Sequence, residues 1–253
     1  MLIVLPDLHG RADLLEATVK YYPPDTNYVF LGDAIDRGPD SKGCIRQLLE
    51  LHEAGRCVLI RGNHEVMVES AAQYDRMAQE SGDAGLLRLA REEFVNWQRN
   101  GGSTLFREYG LFGPGNLPAD LTEFIARTQL SFETPNFYLC SHAAPAVKLD
   151  RYATVADSMV WARPNEGPFD LEPPMIGSVH GHTPLGVPTW VDKHLYMDLG
   201  AVFSGNFATL NIESMEMLVL RGAGMVGRDN LLELFSEEEG LIRPHPYKVL
   251  EIY

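Results

Sequence analysis

The chain has 253 residues, 45% of them hydrophobic and 22% charged, an ordinary globular composition long enough to bury a core without staples. Its 35 acidic against 21 basic residues give a net charge of −14, which excludes a non-specific nucleic-acid binder, since no basic field attracts a polyanion. Cys44, Cys57 and Cys140 are too scattered for a disulfide framework or zinc knuckle, and Leu2-Ile3-Val4-Leu5 is too short for a signal segment or membrane span, so the expected location is cytoplasmic.

Leu2 to Leu5 is wholly apolar, as expected for a strand buried on both faces. Leu14, Leu15 and Val19 then share one helical face, and Tyr28 to Leu31 predicts a second buried strand. Pro39-Asp40-Ser41 makes a helix start, with Ile45, Leu48, Leu49 and His52 at helical spacing and Gly55 as the stop. Cys57 to Ile60 predicts a third strand. This β-α-β-α-β order implies a sheet with right-handed crossovers and helices on its faces.

Residues 66 to 100 differ in character. Ala71, Tyr74, Met77 and Ala78, then Leu86, Leu87, Ala90, Phe94 and Trp97, predict two amphipathic helices broken at Ser81-Gly82-Asp83. Asn100-Gly101-Gly102 reads as the stop of the second. Two helices in a row interrupt the alternation, so the segment reads as an inserted cap rooted after Glu65. A helix follows near Ala119 to Arg127. Strands are then expected over Asn136–Ser141, Met175–Val179, Val187–Val191, Leu195–Leu199, Phe207–Ile212 and Met215–Leu220, as hairpins and a second sheet. The acidic run Glu237-Glu238-Glu239 reads as a solvated face or turn. The expected organisation is one α/β domain over residues 1–253 with a helical cap insertion at about 66–100.

Polar residues cluster at the strand ends: Asp7 and His9 after the first, Asp33 and Asp36 after the second, Asn63 and His64 after the third. His142 and His182 end two later strands. In open α/β sheets the carboxyl ends of the strands lie along one edge, where ligands bind. Oxygen and nitrogen donors without a thiolate suit Mn, Fe, Zn or Mg. Asp7, His9, Asp33, Asn63, His142 and His182 exceed what one tetrahedral site needs, so two ions sharing Asp33 are expected.

Five stretches resemble, in order, the signatures of calcineurin-like metallophosphoesterases: Asp7-Leu8-His9-Gly10, Gly32-Asp33-Ala34-Ile35-Asp36-Arg37-Gly38, Gly62-Asn63-His64-Glu65, Ser141-His142-Ala143 and Gly181-His182-Thr183-Pro184. The pattern is similar to the phosphoprotein phosphatase branch, in particular its bacterial and phage serine/threonine phosphatases, over residues 7 to about 205. Asn100-Gly101-Gly102-Ser103-Thr104-Leu105 resembles that same group. Pro6 and Ala144 depart from it, each standing where glycine is usual.

The resemblance implies a metallophosphoesterase-type β-sandwich flanked by helices, a βαβαβ core with a second mixed sheet. It implies that Asp7, His9 and Asp33 hold one metal, and Asp33, Asn63, His142 and His182 the other, manganese before iron, zinc or magnesium. Arg37 and Arg163 would clamp the phosphate alongside Asn63, and His64, oriented by Asp36, would protonate the leaving group. The implied reaction is direct attack of a metal-bridging hydroxide on phosphoserine- or phosphothreonine-type esters in a protein, peptide or small molecule, with no nucleic-acid or membrane partner. The alternative is symmetrical diadenosine tetraphosphate hydrolysis or a nucleotide phosphatase. Relatives of the first kind tend to lack the aspartate matching Asp36 and to carry Asp after Asn-His, so Asp36 and Glu65 favour the phosphatase. A non-catalytic scaffold would be expected to have lost a ligand, and all six are present. His180 reads as a strand-end histidine, His52 and His194 as non-functional, and Glu65 as a support for its loop.

Overall fold

β1 (Leu2–Leu5), α1 (Ala12–Tyr21), β2 (Asn27–Phe30), α2 (Ser41–Glu53) and β3 (Cys57–Leu59) follow in the expected order. β1 pairs parallel with β2, and β2 with β3. The Asp40 side chain accepts the Gly43 N–H and so starts α2. The computed structural model describes residues 1–146, 151–167, 169–222 and 242–252, and the acidic run 237–239 lies outside them.

α3 (Asn63–Ser81) starts before the point at which its apolar period becomes readable. Glu65 closes the first turn by accepting the N–H of Gly62 at 2.9 Å. Asn63 and His64 therefore sit in a helical first turn. Gly82 ends α3 at φ 66° and Asp83 caps α4 (Ala84–Trp97) by accepting the Leu86 N–H. Gly101 does not stop the chain's helical course. A π-type turn spans Gln98–Gly102, with Gly101 at φ 111°, and α5 (Ser103–Tyr109) continues beyond it. α6 (Ala119–Arg127) matches its expected position.

β4 (Ser131–Glu133), β5 (Tyr138–Ser141), α7 (Val155–Trp161), β6 (Gly177–His180), β7 (Thr189–Val191), β8 (His194–Tyr196), α8 (Ala201–Ser204), β9 (Asn206–Asn211), β10 (Glu216–Arg221), β11 (Ile242–Pro244) and β12 (Tyr247–Glu251) complete the described chain. Two six-stranded sheets result, in the orders β12-β10-β9-β1-β2-β3 and β11-β7-β8-β6-β5-β4. Both are mixed. β9 runs antiparallel to β1 and β10, whereas β5–β6 and β6–β8 are parallel. The β9–β10 hairpin was expected in the second sheet but extends the first, because β1 has a free edge where Val4 meets Leu210.

The alternation along β1 divides the core in two. Ile3 and Leu5 face Leu14, Leu48, Val68 and Phe124 of the helices, while Val4 packs with Val179, Leu195 and Leu210 between the sheets. The chain is thus a sandwich of two sheets with α1 to α6 against one outer face. The carboxyl ends of β1, β2 and β3 meet those of β5, β6 and β8 at one edge. Among the described residues no helix is long and apolar enough to cross a membrane.

Candidate metal centre

That edge brings the six candidate ligands together. Asp7, His9, Asp33, Asn63 and His142 are buried, and His182 is half-buried. Each leaves the chain just past a strand or in the first turn of α3. Eight described non-glycine residues have positive φ, and five of them are His9, Asp33, Asp36, Arg37 and His182. Strained backbone is therefore concentrated at this edge, as expected where the surrounding structure holds side chains in place for use. Gly32, at φ 104°, lets β2 approach the next loop, since a Cβ there would lie 2.5 Å from the Gly62 nitrogen.

The histidine tautomers follow from their outer contacts. His9 Nδ1 donates to the Ile35 carbonyl at 2.8 Å, His142 Nδ1 to Leu31 at 2.9 Å and His182 Nε2 to Trp161 at 3.1 Å. A carbonyl can only accept, so the inner nitrogen of each ring is left as a lone pair. Asn63 Oδ1 lies 3.0 Å from His142 Nε2 and 2.9 Å from His182 Nδ1, and the two nitrogens are 3.2 Å apart. Three acceptors in mutual contact have no proton to share, whereas a cation would satisfy all three. Asp33 Oδ2 lies 3.5 Å from both His9 Nε2 and His142 Nε2. Asp7 Oδ2 is buried with no hydrogen-bond partner among the described residues. Two groups of potential ligands result, His9-Asp33-His64 and Asp7-Asp33-His142, with Asp33 common to both.

The electrostatics agree. Without a cation, burial pushes Asp7 well up, helped by the charges of Asp198 and Asp33, and burial with Glu65 does the same to Asp33. Burial pulls His142 down to about 3 and holds His9 and His182 well below the usual imidazole range. Neutral imidazoles beside carboxylates that resist sharing their charge are the donor set a divalent cation accepts.

Beside this cluster, His64 Nδ1 donates to Asp36 Oδ2 at 2.7 Å. Its Nε2 lies 3.9 Å from Asp33 Oδ2. Arg37 spans the centre, with Nη1 2.7 Å from His9 Nε2 and Nη2 2.9 Å from His64 Nε2. Arg163 is exposed at the rim, at the start of the Pro164–Glu166 3₁₀ turn, near enough for its charge to lower the pKa of His182. Glu65 supports the loop as expected: Oε2 accepts the N–H groups of Asp33 and Gly62, and Oε1 that of Ala34. His180 ends β6 and bonds Ser178 and Ser141, away from the ligands.

Two buried residues at the site escaped the sequence reading. Asp198, just past β8, accepts the Gly200 N–H at 2.8 Å and has its pKa raised to about 6 by burial. It obeys the same strand-end rule as Asp7, but a strand drawn over 195–199 hid it. Trp97 donates its indole N–H to Asp36 Oδ2 at 2.9 Å. No local pattern announces that contact, which joins residues far apart in the chain.

A family model described as calcineurin-like phosphoesterase matches residues 2–186. The chain is 50% identical over 66 residues to the serine/threonine-protein phosphatase PP2A-like PPG1 of Candida albicans (strain SC5314 / ATCC MYA-2876), a match covering 24% of this chain and 16% of that protein. It is 35% identical over 66 residues to the symmetrical bis(5'-nucleosyl)-tetraphosphatase of Ralstonia nicotianae (strain ATCC BAA-1114 / GMI1000), covering 26% and 23%. The match thus spans less than a quarter of the length of either relative. A crystal structure named provisionally as a diadenosine tetraphosphatase superposes with a TM-score of 0.57 at 17% identity, covering 89% of this chain and 94% of that one. A point mutant of a cold-active protein tyrosine phosphatase gives 0.52 at 16%, covering 86% and 76%. Likenesses at such identities show the fold.

Proposed function

We propose, on the premise that the chain belongs to the calcineurin-like phosphoesterase family, that it is a two-metal phosphomonoesterase for phosphoserine- and phosphothreonine-type esters. The observation that carries this reading is the meeting of lone pairs from Asn63, His142 and His182 beside the shared carboxylate of Asp33. Asp7, His9 and Asp33 would hold one divalent ion, and Asp33, Asn63, His142 and His182 the other, manganese being the first choice. When bound, such ions supply charge withdrawal from phosphate oxygens and a water acidified enough to be a nucleophile near neutral pH.

The chain's own residues do the rest. Arg37 turns its planar fork from His9 and His64 to the phosphate, where two parallel N–H donors match two oxygens, and Arg163 adds a second cation from the rim. Asn63 lends its side-chain amide to the same phosphate. Burial, then the neighbouring His9 ring and the Arg37 guanidinium, hold His64 well below the usual imidazole range. An arriving phosphate dianion counters the Arg37 charge and favours a proton on Nε2, with Asp36 steadying the imidazolium through Nδ1. His64 then gives its Nε2 proton to the departing alkoxide. The relay from Asp36 to His64 supports the phosphatase over the symmetrical tetraphosphatase reading, which the Ralstonia relative favours. We read the chain as one catalytic unit with residues 66–100 as its helical insert. The three free, buried cysteines suit the cytoplasm.

The test is a rate screen of manganese-loaded protein on phosphoserine and phosphothreonine peptides, nucleoside monophosphates and diadenosine tetraphosphate. Highest kcat/KM on the phosphopeptides is expected. Highest kcat/KM on the dinucleotide would transfer the assignment to the tetraphosphatase, and no hydrolysis of any substrate would leave only a scaffold.

A further inference from the structure

Trp97 closes the last turn of α4, and its indole is fully buried. A buried indole N–H needs an acceptor, and a nearby backbone carbonyl would serve packing alone. It goes instead to Asp36 Oδ2 at 2.9 Å, the oxygen that also takes the His64 Nδ1 proton at 2.7 Å. The other carboxylate oxygen, Oδ1, is buried without a partner among the described residues. Among the described residues only these two donors therefore fix the rotation of the carboxylate, and one of them is the imidazole it is meant to orient.

The surroundings are shaped for the indole. Gly102 has an ordinary helical φ of −59°, so its backbone does not require glycine. Its lack of a side chain serves the ring, since a Cβ would lie 2.3 Å from the indole nitrogen. Phe94 and Phe106 meet the ring edge-on at 6.0 and 6.3 Å between centroids. The same helix end braces the next residue along. Arg37 N donates to the Gly101 carbonyl at 3.2 Å, and Arg37 Nε to the Asn100 carbonyl at 3.3 Å.

We propose that Trp97 is a positioning residue for proton delivery: its N–H locks the Asp36 carboxylate, which holds His64 with Nε2 turned to the leaving-group oxygen. This rests on the role given to His64 above. Its indole N–H goes to Asp36 and not to one of the proposed metal ligands, so its loss should appear only where the leaving group needs a proton.

The experiment compares wild-type, Trp97→Phe, His64→Asn, Asp36→Asn and the Trp97→Phe/Asp36→Asn double variant as manganese-loaded full chains. Phenylalanine keeps most of the apolar ring and removes the donor. Trp97→Phe is expected to lower kcat on a phosphoserine peptide about 10-fold, a part of the ~10²–10⁴ that a general acid contributes. Its kcat on p-nitrophenyl phosphate, whose leaving group needs no proton, should stay within about 2-fold, with metal content unchanged. In the Asp36→Asn background, Trp97→Phe should cost nothing further, because the two act as one unit. Equal losses on both substrates, or additive losses in the double variant, would reduce Trp97 to packing and overturn the proposal. If Trp97→Phe loses metal, benzothienylalanine at position 97, which exchanges only the N–H for sulfur, decides instead; wild-type rates from it also overturn the proposal. A leaving-group bias in His64→Asn that is absent on losing the indole N–H strikes this inference alone. Absence of bias in His64→Asn itself strikes the underlying role of His64 and this inference with it.

Discussion

Glu65→Gln removes one charge and leaves the shape of the side chain almost unchanged, so it isolates what the carboxylate does for the site. Oε2 accepts from Asp33 N and Gly62 N at 2.9 Å each, and Oε1 accepts from Ala34 N at 3.0 Å. Burial raises the pKa of Glu65, and the three N–H donors pull it back towards ionisation. Glutamine can keep its oxygen at the doubly bonded position, but its NH2 group then faces the Ala34 N–H, donor against donor. At least one charge-assisted bond is lost, roughly 1.5–3 kcal/mol, and a buried N–H is orphaned for about 1–3 kcal/mol more. We expect urea denaturation of metal-free protein to show a loss of about 3 kcal/mol. Because the orphaned Ala34 N–H directly follows Asp33, the loop that carries Asp33 is loosened, and manganese affinity measured by titration calorimetry should fall about 10–100-fold. A variant with the wild-type unfolding midpoint and unchanged affinity would mean that Glu65 is protonated in the fold and that the clamp contributes nothing.

Two further outcomes follow from single contacts. His64→Asn should slow phosphopeptide hydrolysis by ~10²–10⁴ while costing nitrophenyl phosphate hydrolysis clearly less, with metal content by plasma emission unchanged; loss of metal would make His64 a ligand. Gly101→Ala places a Cβ 2.5 Å from Arg37 Cγ at φ 111°, so it should shift the guanidinium and weaken competitive inhibition by inorganic phosphate about 10-fold, roughly one lost charge-assisted bond. Gly110→Ala, also at positive φ but with nothing within 4 Å of its Cβ, is the control for backbone strain and should leave inhibition unchanged.

The first half of the fold was readable because β1, β2 and β3 are largely buried and, apart from the exposed Asn27, apolar, and because Asp40 marks the start of α2. The clustering of the candidate ligands was readable for a related reason: polar residues that follow a buried strand have nowhere to go but the sheet edge. The start of α3 was not readable, since Asn63, His64 and Glu65 carry no apolar period and are held helical by the Glu65 cap. β12 lies at a sheet edge with nearly every residue exposed, so no alternation marks it. The sheet joined by β9 and β10 depends on which edge of β1 is free, a tertiary fact. Trp97 looked like one more apolar residue on the face of α4, and only the three-dimensional path of Gln98–Gly102 carries its nitrogen to Asp36.

The centre around Asp33 is tested most directly by counting metal. Apo protein loaded with manganese, freed of excess and analysed by plasma emission alongside Asp33→Asn should hold close to two ions per chain in the wild type, as expected of two-metal hydrolases. Asp33→Asn should retain clearly less metal and almost no phosphatase activity, since the oxygen facing both His9 and His142 is altered. Full activity with a single ion per chain, or activity that survives exhaustive chelation, would contradict a two-metal phosphoesterase.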